Sequence, residues 1–202
     1  MWLVYVAITM NELGSQWDLS DLNRSFIGLS LTFGLFLGAV IWSVLCDHYG
    51  RVFTFKKTLL ISLAGTLIIA FWIENLAMIC SAFFLLGFGA GGDLVITAWI
   101  FLENCPPSKR WLLTLLGGFW IFGSIVLCAF AWGLAVYGYV WRKLAFLWVF
   151  TEVIAILSRC RVKETPKFLA IWGRKEELEA LLLYIAEWNN KSRGYVSIEF
   201  ST

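Results

Sequence analysis

Residues 25–46 contain no charged side chain and no proline over 22 positions. At about 1.5 Å per residue, a helix of that length crosses a bilayer core of about 30 Å. The pattern recurs. Residues 58–73 and 111–137 are also free of charge and proline, 77–102 carries only Asp93, and 144–158 carries only Glu152. Runs this long and continuous suit membrane helices, whereas barrel strands alternate over about ten residues. The chain is 60% hydrophobic and 15% charged, against about 45–50% apolar and 25% charged in an ordinary soluble domain. An all-α membrane protein is the only fold class that accommodates this.

The segments between the runs divide the chain. Residues 1–13 are apolar but too short to span, and read as the last part of a first helix. Residues 14–24 read as a polar loop, with Trp17 as an interfacial anchor. Residues 47–57 read as a tight basic turn. Gly50 lets the backbone reverse there, and Arg51 is close enough to pair with Asp47. Glu103, Pro106 and Pro107 end the next long span, because proline lacks the N–H needed to continue a helix. The 144–158 run is the weakest span, flanked by Arg142, Lys143 and Arg159. Beyond it, residues 159–202 form a polar segment. Leu178, Leu181, Leu182 and Ile185 recur there at helical spacing opposite Glu176, Glu177, Glu179 and Glu187, predicting one amphipathic helix over 161–190. Arg51, Lys56, Lys57, Lys109 and Arg110 lie on one side with the basic tail. Only Arg24, Arg142 and Lys143 lie on the other, so the charged loops and the C-terminus are expected in the cytoplasm.

Little in the chain resembles a catalytic site. Gly87, Gly89 and Gly92 satisfy G-x-G-x-x-G, but a dinucleotide fingerprint needs a preceding strand, and these glycines lie inside a span. They, with Gly34 and Gly38, instead allow close helix approach. The five cysteines are scattered and read as small buried hydrophobes, and His48 is the single histidine. No enzyme activity, cofactor, metal site or nucleic-acid partner is expected. Asp93 is the most informative residue. A charge within a span costs about 2.5–3.5 kcal/mol, so it faces either a solute or ion path or a hydrogen-bonding partner. Thr97, Trp120 and Trp132 are further candidates for a cavity wall, with helix packing as the alternative. Glu152 either meets a partner or marks a distorted span.

Several segments together resemble one family. Residues 38–51, ending Asp47-His48-Tyr49-Gly50-Arg51, resemble the loop 2–3 signature of the major facilitator superfamily. Gly87 to Glu103 with Pro106 and Arg110 is similar to that superfamily's fourth helix and its E-x-x-P-x-x-x-R ending. Trp141-Arg142 resembles the pair before helix six. Glu164-Thr165-Pro166-Lys167-Phe168-Leu169, then Gly173-Arg174, resembles the segment after it. The set is most like the branch holding synaptic-vesicle-2-related proteins, organic-ion carriers and sugar or phosphate porters. The signature's usual residues are replaced at Ser43, His48, Val52 and Trp111.

The resemblance implies the amino-terminal half of a major-facilitator-type bundle: a truncated helix one, about five further transmembrane helices, and a partner half or self-association to complete it. It implies a secondary carrier in a plasma or vesicle membrane, moving an organic ion, sugar or phosphate, with a coupling proton or ion. Asp47, Gly50, Arg51, Glu103, Arg110 and Glu164 match a conformational latch. Asp93 and Thr97 fall on a cavity-lining helix. A non-transporting membrane scaffold or inactive truncated product is the alternative.

Overall fold

The computed structural model describes residues 2–71, 75–135 and 140–188. All its regular structure among these residues is helical: α1 Trp2–Gln16, α2 Asp21–Tyr49, α3 Arg51–Phe71, α4 Leu76–Asn104, α5 Leu112–Ala135, α6 Val140–Arg159, α7 Pro166–Ile171 and α8 Lys175–Trp188, with a 3₁₀ turn at Pro107–Lys109 before α5. Helices α2, α3 and α4, and the stretch Pro107–Leu134 that covers all but the last residue of α5, are long and apolar enough to cross a membrane.

Helix ends run past the apolar runs. The predicted polar loop 14–24 shrinks to four residues: α1 continues to Gln16, and α2 begins at Asp21, where the Ser20 hydroxyl accepts from the Asn23 N–H. A serine cap followed by an acid in the first turn starts a helix well before the bilayer does. The predicted turn 47–57 is also much tighter. Helix α2 carries on through Asp47 and His48, α3 starts at Arg51, and Gly50 alone, at φ +104°, reverses the chain. Lys56 and Lys57 therefore lie on α3. Helix α6 has 20 residues rather than the 15 of the apolar run, enough for about 30 Å. The spans predicted to end at 73 and 137 have those ends outside the described residues.

The tail departs from the single predicted helix. Pro166 opens α7, its missing N–H falling where no intrahelical bond is needed, and Thr165 caps it. Gly173, at φ +67°, then separates α7 from α8. Leu178 and Leu181 of α8 bury against Leu169 of α7, so the apolar stripe closes a helical hairpin. Residues 189–202 of the predicted tail lie outside the described residues. The cysteines also depart from expectation: Cys46 is buried, but Cys128 and Cys160 are exposed.

Helix α4 is the centre of the bundle. On one face it meets α2 so closely that a Cβ at Gly34 or Gly38 would strike the backbone carbonyls of Phe84 and Phe88. The seam is reciprocal, since a Cβ at Gly87 or Gly91 would strike those of Leu31 and Leu35. On another face α4 meets α3, where a Cβ at Gly65 would lie 2.7 Å from the Ala82 carbonyl oxygen. Without a hydrophobic effect in lipid, such small-residue contacts supply the van der Waals packing that holds helices together. Helix α1 closes the bundle through fully buried Tyr5 and Leu13, with Tyr5 stacked 5.7 Å from Trp148 of α6. Helix α5 is different: Phe119, Ile121, Phe122 and Trp132 are largely exposed, as suits a face turned to lipid.

Candidate functional site

Two polar groupings emerge, one at a common end of α2, α3 and α4 and one within the bundle. At the helix ends, Arg51 is the hub. Its Nη2 lies 3.1 Å from Asp47 Oδ1 and 3.2 Å from Glu103 Oε1, and Nη1 donates to the Cys46 carbonyl at 3.2 Å. Its guanidinium also sits 5.3 Å from the Phe168 ring centre. Glu103 is shared, because its Oε2 accepts from the Thr165 hydroxyl at 2.7 Å. Glu164 caps α3: its Oε1 accepts the Arg51 N–H at 3.0 Å and its Oε2 the Val52 N–H at 3.1 Å. A carboxylate there meets two orphan N–H groups and the positive end of the helix dipole. Gly50 has to be glycine twice over, since a Cβ would fall 2.7 Å from Glu164 Oε2 and φ is positive.

Five of the six predicted latch residues, Asp47, Gly50, Arg51, Glu103 and Glu164, therefore meet. Arg110 does not. It is exposed on the turn after α4, and among the described residues no ion pair joins it to the five. Phe168 and Thr165 complete the cluster, and their signal in the sequence was their place in the segment after α6.

The second grouping surrounds a cavity of about 700 Å³ bounded by α3, α4, α5 and α6. Asp93, Thr97 and Trp120 all line it. Trp132, by contrast, is 84% exposed. Asp93 is not a lone charge: it pairs with Arg159 at the end of α6. Arg159 Nη1 also donates to the Phe55 carbonyl at 2.9 Å, and the guanidinium lies 3.6 Å from the Phe55 ring centre. Asp93 thus has both a cavity and a partner. Sequence reading used Arg159 only as a flanking charge, although its place directly after the last apolar run was a clue.

Glu152 is a partnered residue rather than a mark of distortion. It is 6% exposed, lines the same cavity, and accepts the Ser62 hydroxyl on Oε1 at 2.5 Å. Among the described residues no donor meets its Oε2 in hydrogen-bond geometry, although the Thr66 and Trp148 side chains lie beside the carboxyl. At the opposite end of the bundle, Glu12 of α1 accepts the N–H groups of Val140 and Trp141 at 3.3 and 2.6 Å, capping α6 much as Glu164 caps α3.

Residues 5–198 match the family model described as "Sugar (and other) transporter". The chain belongs to that family. It is 31% identical over 191 residues to the "MFS siderochrome iron transporter 1" of Ceriporiopsis subvermispora (strain B), covering 84% of this chain and 36% of that protein. It is 29% identical over 203 residues to the synaptic vesicle glycoprotein 2A of Homo sapiens, covering 91% of this chain and 26% of that protein. The chain thus spans well under half the length of these relatives. Its fold resembles that of the proton:xylose symporter XylE, at a TM-score of 0.78 and 16% identity, covering 89% of this chain and 45% of that one. A partially occluded, inward-open form of the E. coli xylose transporter XylE gives a TM-score of 0.79 at 17% identity. The fold is that of an amino-terminal half of a major facilitator superfamily protein, and the family is one of multi-pass membrane transporters.

Proposed function

We propose that the chain forms the amino-terminal half of a secondary carrier that moves a small solute by alternating access. The observation that carries this is the cavity. It sets the Asp93–Arg159 pair and Glu152 between membrane-spanning helices, and ionisable groups at that depth mark substrate or ion paths. Asp93, Thr97 and Trp120 form its wall on α4 and α5. The Asp47, Arg51, Glu103 and Glu164 cluster ties the ends of α2, α3 and α4 to α7, so that the half rocks as one body against its partner. The basic residues of α3 and of the turn before α5 favour a cytoplasmic position for that cluster and for the C-terminal helices.

Uptake into proteoliposomes tests the reading. The chain would be reconstituted with the carboxy-terminal six-helix half of a carrier of the same family. Labelled organic ions, sugars and phosphate would be offered with and without a proton gradient. Saturable uptake that falls in Asp93→Asn is expected. Uptake of no solute class under any gradient would overturn the carrier reading. Orientation is checked separately: Lys57→Cys should resist an impermeant thiol reagent in intact cells and react after permeabilisation.

A further inference from the structure

Glu152 is a buried acid with half of its hydrogen-bonding capacity unused. Oε1 is taken by Ser62, whereas among the described residues no donor meets Oε2 in hydrogen-bond geometry, although the Thr66 and Trp148 side chains lie beside the carboxyl and the residue is only 6% exposed. A carboxylate buried away from water needs a donor or a counter-charge on both oxygens. Arg159 is the only basic residue lining the cavity among the described residues, and Asp93 and the Phe55 carbonyl and ring already engage it. With Glu152 ionised, the cavity carries one negative charge in excess. The remaining wall is mainly apolar and aromatic, with Trp120, Phe130 and Trp148 contributed by α5 and α6.

From this we infer that the cavity binds an organic cation: a protonated amine with an aromatic or aliphatic body, its ammonium donating to Glu152 Oε2. The inference rests on reading this cavity as the carrier's solute site. Each feature selects for that class. The ammonium supplies the missing donor and balances the charge. Aromatic side chains suit both a cation and its apolar body. About 700 Å³ is within the range of sites for drug-sized ligands. An inorganic phosphate would meet the excess negative charge. A sugar would leave most of its hydroxyls facing apolar groups.

Equilibrium binding tests this without requiring transport, so a failed uptake assay and a failed binding assay remain distinguishable. Purified protein in nanodiscs would be titrated with tritiated phenethylamine, and with phenethyl alcohol, xylose and inorganic phosphate as competitors. Saturable amine binding is expected, displaced by other aryl-alkyl amines and not by the three competitors. Glu152→Gln should weaken the amine by about ten-fold or more, the usual loss when one partner of a buried charge pair is removed, and Glu152→Asp should retain most of it. Gly117→Leu is the second variant. Gly117 lines the cavity, and a Cβ there meets nothing within 4 Å, so a leucine fills the space without straining the fold. It should abolish binding with Glu152 intact. Amine binding unchanged in folded Glu152→Gln, equal competition by phenethyl alcohol, or unchanged binding in Gly117→Leu would each overturn the inference.

Discussion

The α2–α4 seam and the α5 face are built from the same residue type and put it to opposite uses. Gly34, Gly38, Gly87 and Gly91 each lie against a backbone carbonyl of the facing helix. Gly117, Gly118 and Gly133 of α5 have nothing within 4 Å of where a Cβ would stand. The carboxylates divide likewise. Glu164, beside the packed side, has donors on both oxygens, whereas Glu152, beside the open side, has among the described residues a donor in hydrogen-bond geometry on one. Glycine density in a membrane helix therefore does not by itself signal packing, and a buried acid does not by itself signal function. What separates the cases is saturation, meaning whether each small residue and each lone pair is already matched. The packed side is a scaffold with nothing left to bind. The open side has volume and an unmet acceptor.

The largest test of this contrast is Gly38→Leu. Its side chain would enter the α4 backbone at Phe88, which cannot rotate away. The cost should exceed the roughly 1–3 kcal/mol of an ordinary overpacked core, because two helices have to separate. Loss of a monodisperse peak on detergent size exclusion is expected. A stable, well-folded Gly38→Leu would refute the seam.

Arg51→Ala should come next. Arg51 and Glu103 have side chains about 10% and 9% exposed, so the variant strands Glu103 among buried groups. Removing one partner of a buried pair costs about 3–5 kcal/mol, and the exposed Asp47 contributes little to that figure. The thermal midpoint in detergent should fall by many degrees while amine binding to the remaining folded protein persists. Arg110→Ala, removing the predicted latch residue that stays apart, should leave the midpoint unchanged. A large loss there would mean that the cluster extends further than these contacts.

Asp93→Asn is intermediate. Asp93 is about 28% exposed on its side chain, so solvent already screens part of its pairing with Arg159. A modest fall in stability is expected, together with a larger effect on solute uptake. Full uptake at every pH would reduce Asp93 to a packing residue.

How much of this was legible beforehand follows from the range of each interaction. The spans, the close-packing glycines and the reversal at Gly50 are local in sequence, and all of them could be read there. Helix ends were misplaced because hydropathy locates the lipid core, while helices continue beyond it on charged residues such as Lys56 and Arg142, which form helix well. The break between α7 and α8 had its signal in Pro166 and Gly173, but the leucine spacing of α8 suggested one continuous helix. The contacts between helices far apart in sequence were not legible from the residues alone. Ser62 reaches Glu152 across 90 positions, Arg159 reaches Asp93 across 66, and Glu12 reaches Trp141 across 129. Each depends on how whole helices lean together, which no local pattern encodes.

The smallest expected effect is that of Gly118→Leu, and it is the sharpest check on the comparison. Gly118 is helical and exposed, and a Cβ there meets nothing within 4 Å. In a lipid-facing position a leucine exchanges lipid contact for lipid contact. It also removes the backbone freedom that glycine gives the unfolded chain, worth roughly 1 kcal/mol in a helix interior. The thermal midpoint should therefore stay level or rise slightly, in contrast to the loss of fold at Gly38. A fall comparable to that of Gly38→Leu would show that this face of α5 meets another helix in the membrane. The open side would then be a docking face for a partner half, and the difference between the two glycine sets would lie in where their contacts come from rather than in whether they have any.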